Sequence, residues 1–312
     1  MIRQPYVAGY FYPGTAVQIK KAMAEMIDAG AEKKEAVGVL APHAGYQYSG
    51  KVTGAALSRV HIKDTVIIIG PSHSGLGQPF SVMPAGTWRT PLGDVEIDTV
   101  LAQALIESSG YLEADELAHA KEHAIEVQLP FLQYRKPDVK IVPVILAGAP
   151  PAVYREIGRD IARAMRHTGI DALILASGDM THYEPDAEAR KKDMKAIEAM
   201  IALDEEELAA RYKKHHISMC AFGPVMSLMS AAHDLGVMGA ELVSYATSGD
   251  ATGDRDAVVG YAGVIFFKNT PDPLVKLARE TVETWVREGK KVSPPRDIPP
   301  EMAAEAGVFV SI

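Results

Sequence analysis

The strongest constraint on this chain is residues 64–77, D-T-V-I-I-I-G-P-S-H-S-G-L-G. Val66, Ile67, Ile68 and Ile69 form an unbroken β-branched run. That is the pattern of a strand buried on both faces, as in a parallel sheet covered by helices. The run stops at Gly70-Pro71 and delivers His73 among Ser72, Ser74 and three glycines. Open α/β sheets bind ligands beyond the carboxyl ends of their strands, so a histidine released there is a candidate site residue.

The same punctuation recurs. An apolar run at 36–40 ends in P-H-A-G-Y, carrying His43, and another at 171–176 ends in S-G-D-M-T-H-Y, carrying Asp179 and His182. Further strands are predicted at 140–146, 241–246 and 258–267, and helices at 16–29, 48–60, 100–109, 153–167, 186–203, 205–215 and 222–235. This alternation defines an α/β fold over residues 1–268, with a mostly parallel or mixed central sheet flanked by helices. Residues 80–97, with Gly86, Pro91 and Gly93, read as a loop-rich insertion of short strands near the site. The segment N-T-P-D-P at 269–273 reads as a linker. Residues 274–312 open with an apolar helical face through Leu277, Val282 and Trp285 and close on G-V-F-V-S-I, as if cut within a second domain. That face must be covered by the first domain or by a neighbouring subunit of a homo-oligomer.

Composition narrows the class. With 47% hydrophobic and 23% charged residues, the chain can bury a large core. Forty acidic against 32 basic residues give a net charge of −8, and no Lys/Arg stripe is interleaved with aromatics, which argues against nucleic acid as a partner. The apolar runs at 141–149 and 258–267 are shorter than the roughly 18 residues that span a bilayer, and the start M-I-R-Q-P-Y lacks the apolar centre of a signal peptide. A cytoplasmic protein without a membrane partner is expected. The single cysteine, Cys220, has no internal disulfide partner, in keeping with a reducing compartment.

Each histidine taken alone has an ordinary reading, a polar group satisfying loop backbone. The carboxyl edge of a sheet is one surface, however, so His43, His73 and His182 can meet there. Cys220 is either a small buried hydrophobe or, just before the helix at 222–235, a thiolate stabilised by the helix N-terminus. Two imidazoles and a thiolate suit zinc, copper or ferrous iron rather than magnesium or calcium. Asp179 is either a turn cap or a group that orients a ligand histidine. In A-H-A-K-E-H-A-I-E-V-Q-L-P-F-L, His119 and His123, and likewise Glu122 and Glu126, share a face if the segment is helical; the glutamates are either surface charges or site-facing. His119, His215, His216 and His233 are read as solvated. No G-x-S-x-G elbow, G-x-G-x-x-G or P-loop is present, which disfavours a serine hydrolase and a nucleotide site.

The pieces V-A-G-Y-F-Y-P, A-P-H-A-G-Y, G-P-S-H, E-H-A-I-E-V-Q-L-P-F-L, S-G-D-M-T-H-Y and M-C-A-F-G-P, spread over residues 1–268, resemble the Memo family, known in bacteria and archaea as AmmeMemoRadiSam system protein B. The resemblance implies a fold similar to class III extradiol dioxygenases, which hold a non-haem ferrous ion with two histidines and a glutamate. It places metal-binding positions on His43, His73 and Cys220, and acid/base positions on His182 and His123, with Asp179 and Glu122 beside them. Cys220 stands where those dioxygenases have a carboxylate, a softer donor that oxidises readily. The implied cofactor is iron(II), with copper or zinc as alternatives. The implied function is a redox or oxygenase-like enzyme acting on a small molecule, or a metal-handling or peptide-binding protein using the same cleft. The tail, L-V-K-L-A-R-E-T-V-E-T-W onward, resembles the start of AmmeMemoRadiSam system protein A. A protein A-like domain and a radical SAM protein are therefore the implied partners.

Overall fold

The computed structural model describes residues 1–268 and Thr281. The linker at 269–273 and the second domain expected at 274–312 lie, Thr281 apart, outside the described residues. The elements in chain order are β1 (Ile2–Arg3), α1 (Ala16–Met26), β2 (Ala36–Ala41), α2 (Tyr46–Ser58), β3 (Thr65–Pro71), β4 (Phe80–Val82), β5 (Thr87–Thr90), β6 (Gly93–Glu96), α3 (Thr99–Ser108) and β7 (Glu113–Ala114). A 3-10 turn (Leu117–His119) leads to α4 (His123–Glu126), α5 (Leu129–Arg135), β8 (Lys140–Leu146), α6 (Pro151–Thr168), β9 (Ala172–Ser177) and β10 (His182–Glu184). The chain continues through α7 (Asp186–Ile201), α8 (Glu205–Lys214), α9 (Phe222–Asp234), β11 (Gly239–Thr247), α10 (Ser248–Thr252) and β12 (Val258–Phe267).

Local chemistry explains many of the boundaries. Asp98 caps α3 by accepting from the Leu101 N–H, and Asp204 caps α8 through Glu207. Pro151 opens α6, and Gly169 closes it at φ 69°, in the left-handed region that glycine occupies without strain.

The main sheet has the order β10-β12-β2-β9-β3-β8-β4-β7, with β11 paired to β12. Its centre is parallel: β2 pairs with β9, β9 with β3, and β3 with β8. Both neighbours of Ile67, Ile174 and Val142, are apolar, and β2, β3 and β9 are buried along almost their whole length. Helices α6 and α9 pack together, with α9 against β2, β3 and β9, while α2 packs against β2, β11 and β12. The later strands β11 and β12 run antiparallel, which makes the sheet mixed.

Because β2, β9 and β3 are adjacent and parallel, their carboxyl ends release His43, Asp179–His182 and His73 at one edge. The stretch from His119 to Leu132, read as helical only conditionally, falls into the 3-10 turn, α4 and α5, with Pro130 in the first turn of α5. Two expectations need correction. His119 is fully buried rather than solvated, beside Ser81 and the Trp88 ring. Residues 80–97 do form short strands, but β5 and β6 build a separate small sheet with β1, and none of these residues lines the cleft described below. Among the described residues no helix is long and apolar enough to cross a membrane.

Candidate metal centre

His43 leaves β2 with its backbone N–H donating to Asp179 Oδ1 at 2.8 Å. Its Nδ1 lies 3.3 Å from Ser177 Oγ, and its Nε2 lies 3.4 Å from Cys220 Sγ and 4.0 Å from Asp179 Oδ2. His73, past the end of β3, is held twice by Glu122: its backbone N–H donates to Oε2 at 2.7 Å, and its Nδ1 lies 2.8 Å from Oε1. His123 opens α4, with Nδ1 3.4 Å from the same Oε1. Ring centroids are 5.0 Å apart for His43–His73, 5.2 Å for His43–His123 and 4.4 Å for His73–His123. One ligand atom from each of the three lies within 4.8 Å of the others.

The electrostatics suit a cation. Burial, reinforced by the neighbouring His73, lowers His43 to about 3. Burial and the adjacent imidazoles lower His123 to about 4. Both are therefore neutral imidazoles near pH 7, the metal-binding form. Burial acts to raise Glu122, but the His73 ring and the N–H groups of His73 and Ala124 outweigh it and bring the carboxyl down to about 2. Glu122 is thus an anion behind the histidines, where a carboxylate orients ligand imidazoles and raises their basicity.

Cys220 sits one residue before the cap of α9, and its sulfur accepts from the Asp179 N–H at 3.1 Å. A thiolate stabilised by the helix N-terminus is not what the surroundings favour: burial, then the Asp179 carboxylate, push the thiol up. Only a cation beside it would reverse that balance. Gly178 makes this approach fit, since a Cβ there would collide with the Ala221 backbone. Asp179, itself raised by burial, accepts from the His43 N–H and lies 4.0 Å from the His43 ring, so it braces the turn after β2 rather than the turn after its own strand.

The three imidazoles, Asp179 and His182 line an open cleft of about 660 Å³. The backbone N–H of His182 donates to Ser218 Oγ at 2.9 Å. Its Nδ1 lies 2.9 Å from the Ser218 carbonyl, which only accepts, so Nδ1 carries the proton and Nε2 is left as an acceptor. Tyr183 follows at φ 57°, a left-handed backbone that keeps its side chain 78% exposed at the rim. Phe11, from the N-terminal segment, packs on His123 at 4.9 Å between ring centroids.

All seven residues singled out in the sequence thus gather at one place: five line the cleft, and Glu122 and Cys220 stand behind it. His123, assigned to proton transfer by resemblance, is as close to His43 and His73 as they are to each other. Glu126 faces away. Fully buried, it pairs with Arg3 and accepts from the Tyr6 N–H (2.8 Å), the Val7 N–H (3.0 Å) and the Tyr12 hydroxyl (2.8 Å), fastening the N-terminal segment. Sequence reasoning assigned no role to Ser177 and Gln128, two buried polar groups behind His43. The only signal was a polar residue at the end of, or within, an apolar run.

The donor set fits a metal: two neutral imidazoles of depressed pKa, a third held by a carboxylate, and a thiol alongside form a nitrogen- and sulfur-rich group suited to zinc, copper or iron. Fold and site together define a mixed α/β protein with a histidine-rich candidate metal cleft at the carboxyl edge of its parallel strands. The profile of the Memo-like protein family matches residues 3–265, and the chain belongs to that family. A MEMO1 family protein of Ignicoccus hospitalis is 43% identical over 283 residues, covering 85% of this chain and 99% of the relative. The MEMO1 family protein of Pyrobaculum aerophilum is 41% identical over 279 residues, covering 86% and 99%. The solved structure of an uncharacterised Escherichia coli K12 protein superposes with TM-score 0.48 at 14% identity, over 73% of this chain and 98% of that one.

Proposed function

We propose that this Memo-like chain is a mononuclear non-haem metal enzyme of redox or oxygenase-like type acting on a small molecule, with His43, His73 and His123 holding the ion. The observation that carries this reading is the convergence of three imidazoles, within 4.8 Å of one another, on an open cleft. Iron(II) is the proposed metal by resemblance, with copper or zinc as alternatives that the same donors accept. Bound there, such a metal would supply Lewis-acid or redox chemistry facing the cleft. The chain's own contribution is orientation and proton handling. Glu122 fixes His73 and steadies His123, while His182 offers an acceptor nitrogen on the cleft wall for a substrate proton. Cys220, 3.4 Å from His43 Nε2, is proposed as a further donor that joins once a cation lowers its thiol. The radical SAM protein and the protein A-like domain remain proposed partners on the strength of the resemblance.

Metal analysis of protein purified without oxygen tests the site. Wild type is expected to carry about one equivalent, and His73→Ala and His123→Ala to lose it, whereas Cys220→Ser keeps metal at reduced affinity. Unchanged metal content in both histidine variants would overturn the assignment. A second reading, metal handling or peptide binding without turnover, is favoured by the exposed rim residues Tyr10 and Tyr183. Peptide binding that persists after chelation, with no substrate consumed by the metal-loaded protein, would support it over the enzyme.

A further inference from the structure

Behind His43 lies a chain of hydrogen bonds whose directions leave no freedom. The Pro42 carbonyl only accepts, and Gln128 Nε2 lies 2.9 Å from it, so the Gln128 amide must present its NH₂ there. The same nitrogen donates to Ser177 Oγ at 2.9 Å. Ser177 has one hydroxyl proton, and it goes to the Ala124 carbonyl, an obligatory acceptor 2.6 Å away. Towards His43 Nδ1, at 3.3 Å, the hydroxyl can therefore only accept. Ser177 and Gln128 are both buried, and the Ser177 hydroxyl then has its one donor and two acceptor sites in use.

We infer that Ser177, locked by Gln128, is a positioning residue that holds His43 as the Nδ1–H tautomer and so turns an unprotonated Nε2 towards the metal cleft. The inference rests on the metal-site reading for its consequence, but the tautomer is a property of the metal-free protein and is tested without it. The same hydroxyl, together with Gln128, ties together three of the segments that build the site. Pro42 precedes His43, Ala124 follows His123, and Ser177 ends the strand that leads to Asp179. Glu122 performs the equivalent service for His73 through a carboxylate. His43 cannot use a carboxylate in the same way, because Asp179 faces its Nε2 rather than its Nδ1. A neutral hydroxyl fixes the tautomer without adding a second anion beside Asp179.

The test is long-range ¹H–¹⁵N correlation on histidine-labelled, metal-free protein near pH 7, combined with zinc titration against a competing chelator. Wild type is expected to show His43 protonated on Nδ1. Ser177→Ala is expected to show Nε2–H or mixed His43 and to bind zinc about 10- to 100-fold more weakly, with an unchanged far-UV spectrum. Gln128→Met, which leaves the hydroxyl in place, is expected to fall between the two. An Nε2–H tautomer in wild type overturns the inference however the variants fold, as does a folded Ser177→Ala that keeps both tautomer and zinc affinity. If the tautomers behave as expected but His73→Ala and His123→Ala retain metal, the positioning role stands and the metal-site assignment fails instead.

Discussion

At the scale of single residues, the site depends on how each histidine is held. Glu122 is the residue on which most converges: fully buried, it meets the backbone N–H and the ring Nδ1 of His73, approaches His123 Nδ1 and caps α4 through the Ala124 N–H at 2.9 Å. Glu122→Gln keeps the shape but removes the charge that raises imidazole basicity. Metal affinity is expected to fall about 10- to 100-fold, read by chelator competition, with the helical signal retained. His43 and His73 were legible as candidates in the sequence because each follows a strand end, whereas His123 was read as a proton-transfer group. Ser177 and Gln128 were not legible, because a buried serine or glutamine becomes informative only when its partners' directions are known. For Cys220 the sequence left two readings open: proximity to a helix N-terminus is visible in sequence, whereas the burial and the Asp179 carboxylate that favour the neutral thiol are not.

At the scale of elements, the unforeseen arrangement is the way the N-terminal segment is fastened to the turn that carries Glu122 and His123. Arg3 pairs with Glu126, donates to the carbonyls of His119 (3.1 Å) and Glu122 (2.8 Å), and stacks on Trp88 at 4.3 Å. Glu126 in turn holds the backbone of Tyr6 and Val7, which brings Phe11 onto His123. Removing one partner of a buried ion pair strands the other charge, so Glu126→Ala is expected to cost about 3–5 kcal/mol in urea unfolding. Faster amide exchange is expected first in residues 3–12. Unchanged exchange there would show that the segment is held by packing alone. Periodicity located most strands and helices to within a few residues, but it left the stretch that becomes the 3-10 turn, α4 and α5 undecided. Spacing of three and four cannot reveal that Glu122, by capping α4 with its own side chain, starts a new helix.

At the scale of the whole molecule, buried histidines set the response to acid. Burial lowers His119 to about 3, and His43 and His123 are depressed as well. A histidine whose folded pKa lies below its unfolded value of about 6.5 takes its proton more readily in the unfolded chain. Stability is therefore full above pH 6.5 and declines as pH falls towards 3. Glu122 adds to the loss below its ordinary range, whereas Asp193, raised by burial, opposes it. Urea midpoints are expected to drop between pH 7 and pH 4, and less steeply in His119→Gln; equal slopes would remove His119 from the account. The sequence by itself determined the α/β class and the strand ends at which histidines are released. It did so because β-branched runs and Gly/Pro stops act locally, through backbone preference and burial. Only the tertiary structure decided that β2, β9 and β3 lie side by side, which histidine completes the trio, and which nitrogen of each ring faces the cleft. Those outcomes depend on contacts between residues from 49 to 136 positions apart, whose hydrogen-bond directions no local pattern encodes.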